Sequence, residues 1–127
     1  MDILNLESLS EGSFVIKGFL RVEKSRENGI YHASIKEPRR SDFIPIEDVI
    51  GEDKINKKYS LYVCVNDAER LVARGYLMRG ESTKKKKRDK EVLRINQPLA
   101  YLFLDERQMP IVSEDEEVSL VFVRENP

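Results

Sequence analysis

A chain of 127 residues with 40% apolar and 35% charged side chains is long enough to fold as one domain without staples and too apolar to stay disordered. Its 22 basic and 23 acidic side chains exclude a surface that is basic throughout, as a whole-surface nucleic-acid footprint requires. One cysteine, Cys64, excludes an internal disulfide, and with His32 as the one histidine no zinc cluster is expected.

Residues 1–10 read as an N-terminal extension. Met1 to Ser8 carries an acid at position 2 and lacks the basic and apolar regions of a signal peptide. No window approaches the roughly 18 apolar residues of a spanning helix. A soluble cytoplasmic protein is expected, or a nuclear one if the host has a nucleus and reads Lys84 to Arg88 as an import signal.

The dominant period is two. From Ser13 to Val22, the residues Phe14, Ile16, Gly18, Leu20 and Val22 form one face, and Val15, Lys17, Phe19 and Arg21 the other, which predicts a strand. Asn28-Gly29 supplies a hairpin turn, and Ile30 to Lys36 alternates again, so 13–36 is a hairpin. His32 and Ser34 fall on the mixed face, with His32 expected opposite Lys17 or Arg21. Pro38 stops the strand. Phe43 to Ile46 is a short extended piece, followed by a helical turn over Glu47 to Ile50. Tyr59 to Asn66 is apolar on both faces and is expected in the centre, covered on each side. Asn66-Asp67 turns it into a strand from Leu71 to Arg79.

Gly80 to Lys90 contains no apolar residue and predicts an exposed basic loop over 80–91. Strands are predicted at Val92 to Ile95, Leu99 to Leu104, Met109 to Val112 and Val118 to Val123, with Pro98 dividing the first two and an acidic loop at 113–117 before the last. The fold class is all-β: a single domain over 1–127, a small barrel or sandwich of about seven to nine mostly antiparallel strands with at most one or two helical turns.

The near-zero net charge hides two poles. Residues 79–94 carry eight basic side chains (Arg79, Lys84, Lys85, Lys86, Lys87, Arg88, Lys90 and Arg94) and three acids. Residues 105–117 carry six acids and one arginine. The basic run has three readings: a solvated turn that blocks edge pairing, a phosphate contact, or a docking site for an acidic surface. Neither His32 nor Cys64 has the partner a catalytic base or nucleophile needs, and no glycine-rich phosphate loop precedes a Lys-Ser/Thr pair. No enzyme activity, cofactor or metal is expected.

A second set of residues interleaves aromatic and basic side chains: Lys17, Phe19 and Arg21 on the first strand, Arg74 and Tyr76 on the fifth. Sharing one open face, they would stack bases and meet phosphates. Strands at 13–23, 29–36 and 43–46, a turn near 47–55, and strands at 59–66 and 70–79 run in the order of an OB-fold barrel. Phe43-Ile44-Pro45-Ile46-Glu47-Asp48-Val49 resembles the third-strand region of an S1-type RNA-binding domain. That resemblance implies a stacking platform, to which Tyr31 and Phe43 would contribute. The expected function is a non-catalytic interaction or assembly module using its charged loops on a protein partner or on itself. The alternative is a single-stranded nucleic-acid-binding module.

Overall fold

The computed structural model describes residues 9–27, 29–78, 92–103 and 112–125. The basic loop, most of the strand expected at Met109 to Val112, and acids Asp105 and Glu106 lie outside the described residues. Seven strands form one mixed sheet: β1 (Phe14–Lys24), β2 (Tyr31–Lys36), β3 (Ile44–Pro45), β4 (Lys58–Val65), β5 (Ala68–Leu77), β6 (Val92–Leu93) and β7 (Glu117–Arg124). Their order is β3-β2-β1-β7-β4-β5-β6, antiparallel except for β5 and β6. The fold is all-β, as expected. The sheet does not close into a barrel, and β3 and β6 remain its two edges.

The alternation read for the first hairpin is the alternation observed. Ile16, Leu20, Ala33 and Ile35 are buried on the inner face, whereas Lys17 and His32 are exposed. β1 is long because two neighbours share it: Phe14 to Phe19 pairs with β7, and Phe19 to Lys24 pairs with β2. Gly18 sits at the changeover. A Cβ there would collide with the Lys36 carbonyl oxygen and lie 2.9 Å from Ile35 Cγ1, so the close approach of β1 and β2 demands glycine. His32 faces Glu23 across the hairpin rather than Lys17 or Arg21, because the six-residue loop connection sets the register two pairs nearer the turn.

The β4–β5 turn is tighter than the sequence suggested. Asn66 (φ 49°) and Asp67 (φ 66°) both adopt the left-handed conformation of a two-residue hairpin, so β5 begins at Ala68 instead of Leu71. β4 is central, between β7 and β5, and on its outer face Ser60 is buried. Tyr59, Leu61 and Val63 enter the inner core, while Tyr62 and Cys64 on the outer face are half-buried. The inner core also holds a ring cluster. Phe14 stacks on Phe122 with centroids 4.5 Å apart and meets Tyr59 edge-on at 5.4 Å.

The main departure lies after β6. Residues Asn96–Phe103 form an eight-residue helix rather than a strand from Leu99. Pro98 belongs to the first helical turn, where its missing N–H would have no partner in any case. Ile95, Asn96, Leu99 and Ala100 are buried, a spacing that a helix gathers on one side and a strand would split between two faces. This helix, α2, packs against β1, β2 and β5, so it spans the open side of the sheet. Asn96 fastens it there: its Oδ1 accepts the Ala33 N–H at 2.9 Å, and its Nδ2 donates to Glu47 Oε1 at 3.4 Å. The short helix α1 (Ile46–Val49) and a 3-10 turn (Glu52–Lys54) follow β3 as expected, with Ile46 and Ile50 in the core.

Candidate interaction surface

β5 leads from the acidic turn to Met78, the residue that precedes the basic segment. At its start, Asn66 Nδ2 donates to Glu116 Oε2 at 3.1 Å, which ties the β4–β5 turn to the acidic turn. That turn is closed by Glu116 itself, whose Oε1 accepts from the Ser113 N–H at 3.2 Å and the Ser113 hydroxyl at 3.3 Å. Glu114 and Asp115 are exposed beside it, while Glu117 already belongs to β7. At the other end of β5, the described chain leaves after Met78 and returns at Val92, paired with Tyr76. Both attachments of the basic segment are therefore at that end. A ten-residue strand, roughly 30 Å long, lies between those attachments and the acidic turn.

The fold adds cations to the basic end that no sequence run announced. Lys57 accepts the Leu77 N–H through its carbonyl oxygen at 2.9 Å, and Lys58 pairs with Tyr76. Arg74 Nε donates to Ser60 Oγ at 3.2 Å, and the Ser60 hydroxyl donates in turn to the Glu125 carboxylate. Asp53 partly offsets this charge: its backbone oxygen accepts from Lys57 Nζ at 2.7 Å and its carboxylate from Lys54 Nζ at 3.3 Å. Three separate stretches of chain converge here, which is why a scan along the sequence does not find them.

The aromatic and basic residues are only partly gathered. Phe19, Arg21 and Phe43 meet, and Lys36 joins them, around a cleft of about 290 Å³ that Glu114 and Asp115 complete. The Arg21 guanidinium lies 3.8 Å from the Phe43 ring centroid and is held by Glu114 at 3.3 Å. Lys36 Nζ lies 5.3 Å from Phe19 and 5.9 Å from Phe43. Lys36 has the same parity as His32 and Ser34 and faces Phe19 in register, so the period-two pattern already contained it. Tyr31 sits at the far end of β2 under Lys24. Arg74 and Tyr76 stand on β5, beyond β7 and β4, and do not share the cleft. Lys17 lies along the outer face beside Ser119.

The residues considered for chemistry have other settings. Burial, and secondarily the charge of Glu69, push the Cys64 thiol up from its ordinary pKa, the reverse of what a nucleophilic thiolate needs. Tyr59 is likewise raised by burial, with the Arg124 charge opposing and Asp53 adding to the shift. Its ring lies 6.0 Å from the Arg124 guanidinium carbon, whose Nε is buried without a hydrogen-bond partner among the described residues. Among the described residues no group of three His, Cys, Asp or Glu side chains is placed to hold a metal, and no helix is long and apolar enough to cross a membrane. Comparisons with protein-family models, with curated proteins and with solved structures gave no match.

Proposed function

We propose that this chain is a non-catalytic interaction module that docks on a charged partner through the ends of its sheet. The observation that supports this reading most directly is the placement of the acidic turn and of the basic attachment at opposite ends of β5. Separated poles do not cancel at short range, because a field from one end falls off over a Debye length of about 8–10 Å. Each end therefore presents its own sign to an approaching macromolecule. The setting of Cys64 supports the non-catalytic part of the reading.

A second reading, binding of single-stranded nucleic acid, is supported by the convergence of Lys57, Lys58 and Arg74 with Tyr76 at the basic end. One experiment separates the two. Light scattering after size exclusion, with absorbance at 260 and 280 nm and at low and high salt, reads both mass and bound nucleic acid. Five tyrosines and no tryptophan make the protein a weak absorber, so co-purified nucleic acid stands out. A high 260/280 ratio abolished by salt favours the second reading. A clean ratio, with capture of an acidic or basic protein partner that Lys57→Glu/Lys58→Glu or Glu114→Lys/Asp115→Lys weakens at low salt, is the expected result. Partner capture indifferent to both double variants refutes the proposal.

A further inference from the structure

The outer face of the four central strands has an order that the charged ends do not use. The strand registers place Val15 of β1, Val121 of β7, Tyr62 of β4 and Leu71 of β5 in one row across the sheet. Two residues along each strand, Lys17, Ser119, Cys64 and Glu69 form the next row. Val121 is fully buried, Val15 and Tyr62 are half-buried, and Leu71 is 44% exposed. The second row lines a groove of about 310 Å³ that reaches down to Val121. The buried side chains of α1 and α2 belong to the inner core, so among the described residues neither helix covers this face.

We propose that a second copy of this chain packs here, outer face to outer face, about a twofold axis parallel to the strands and passing between β7 and β4. Such an axis exchanges β1 with β5 and β7 with β4, and it keeps each row level with itself. Val15 then meets the partner's Leu71, and Tyr62 lies opposite the partner's Val121, which is already buried within its own copy. In the second row, Lys17 meets the partner's Glu69, and Glu69 meets the partner's Lys17. Within one copy these two charges are three strands apart, about 14 Å, too far to pair with each other. A twofold along the rows would set β1 on β1 and bring neither charge to its opposite. Charge complementarity thus selects one geometry, and the apolar row supplies the contact that two sheets about 10 Å apart require. The surface lies in the middle of the sheet and stands whether or not the ends bind a charged partner.

The charge pairs give the test. Light scattering at on the order of 100 μM should return twice the single-chain mass for the wild type. Lys17→Glu and Glu69→Lys should each raise the dimer dissociation constant at least about tenfold, because like charges then meet on both flanks. An equimolar mixture of the two variants should recover the dimer, since each supplies the charge that the other lacks. The doubly substituted chain should recover it as well. Leu71→Glu should give a monomer whose single cooperative thermal transition shows that it is folded, and Lys57→Glu/Lys58→Glu should leave the dimer intact. A wild type that is not dimeric, single charge variants that dimerise as the wild type does, or a mixture that stays monomeric would each overturn the proposal. Failure of this test alongside salt-sensitive partner capture at the ends leaves the proposed function standing, so the two are separable.

Discussion

Asn96→Ala tests how the open side of the sheet is held. In the wild type, the Ala33 N–H is buried and donates to Asn96 Oδ1 at 2.9 Å. Removing the acceptor leaves that donor without water or partner, a loss of about 1–3 kcal/mol. The second bond, from Nδ2 to Glu47 at 3.4 Å, is longer and only part-buried, and adds under about 1 kcal/mol. The expected total is about 2–3 kcal/mol, or a fall in melting temperature of roughly 6–12 °C for a domain of this size. Urea unfolding followed by far-ultraviolet circular dichroism and tyrosine fluorescence measures it. The denaturant slope should not change, since α2 stays docked through Ile95 and Leu99. Asn96→Asp keeps an acceptor for Ala33 but sets a carboxylate against Glu47. It should also be destabilised, and adding Glu47→Gln should restore most of the loss. A destabilisation below about 0.5 kcal/mol for Asn96→Ala, less than a typical net hydrogen bond, would refute the argument that this side chain fastens the helix to the sheet.

Two further outcomes follow from other sites. Gly18→Ala forces a methyl group against the backbone of Lys36, which cannot step aside without breaking the β1–β2 ladder. It should cost about 3 kcal/mol or more in urea unfolding, and a value within about 0.5 kcal/mol of wild type would contradict the close approach. The raised Tyr59 pKa has a definite sign for stability. Below the ordinary tyrosine pKa of 10.0 the phenol is neutral in both states; above it the unfolded chain ionises first, so folding weakens as pH climbs toward the raised folded value. Tyr59→Phe should flatten the stability loss between about pH 10 and 11 in parallel unfolding curves, and identical slopes would rule out this origin.

The strands were legible where one face is buried and the other wet, because alternation then survives into the sequence. β1 and β2 are of this kind, and their inner residues Ile16, Leu20, Ala33 and Ile35 match the apolar phase of the pattern. Over 96–103 the pattern is ambiguous. Leu99 to Leu104 is a short apolar run that suits a buried strand as well as a buried helix, and Pro98 reads equally as a strand break or as part of a first helical turn. The choice is made by tertiary contacts that Asn96 and Leu99 form with β2 and the core. The candidate surface follows the same division. The Phe19–Arg21–Phe43 grouping arises within neighbouring strands and was within reach of the sequence. The Lys57–Lys58–Arg74 grouping depends on strand order, which a linear pattern does not encode. The row of Val15, Val121, Tyr62 and Leu71 needs both strand order and register.

The position of β7 in the strand order has a consequence for how the chain reaches its native state. β1, β2 and β3 can pair among themselves as soon as residues 14–45 exist, and β4 with β5 once residues 58–77 do. By strand pairing the two groups are joined only through β7, which matches Phe14 with Phe122, 108 positions later. Joining them therefore means closing a loop that spans most of the sequence, a search that slows folding in proportion to its non-local contacts. Until residues 117–124 arrive, two apolar half-sheets coexist on one chain, each with the edge that β7 later fills left open. The step that completes the core is thus the same step that removes the chain's greatest exposure to aggregation.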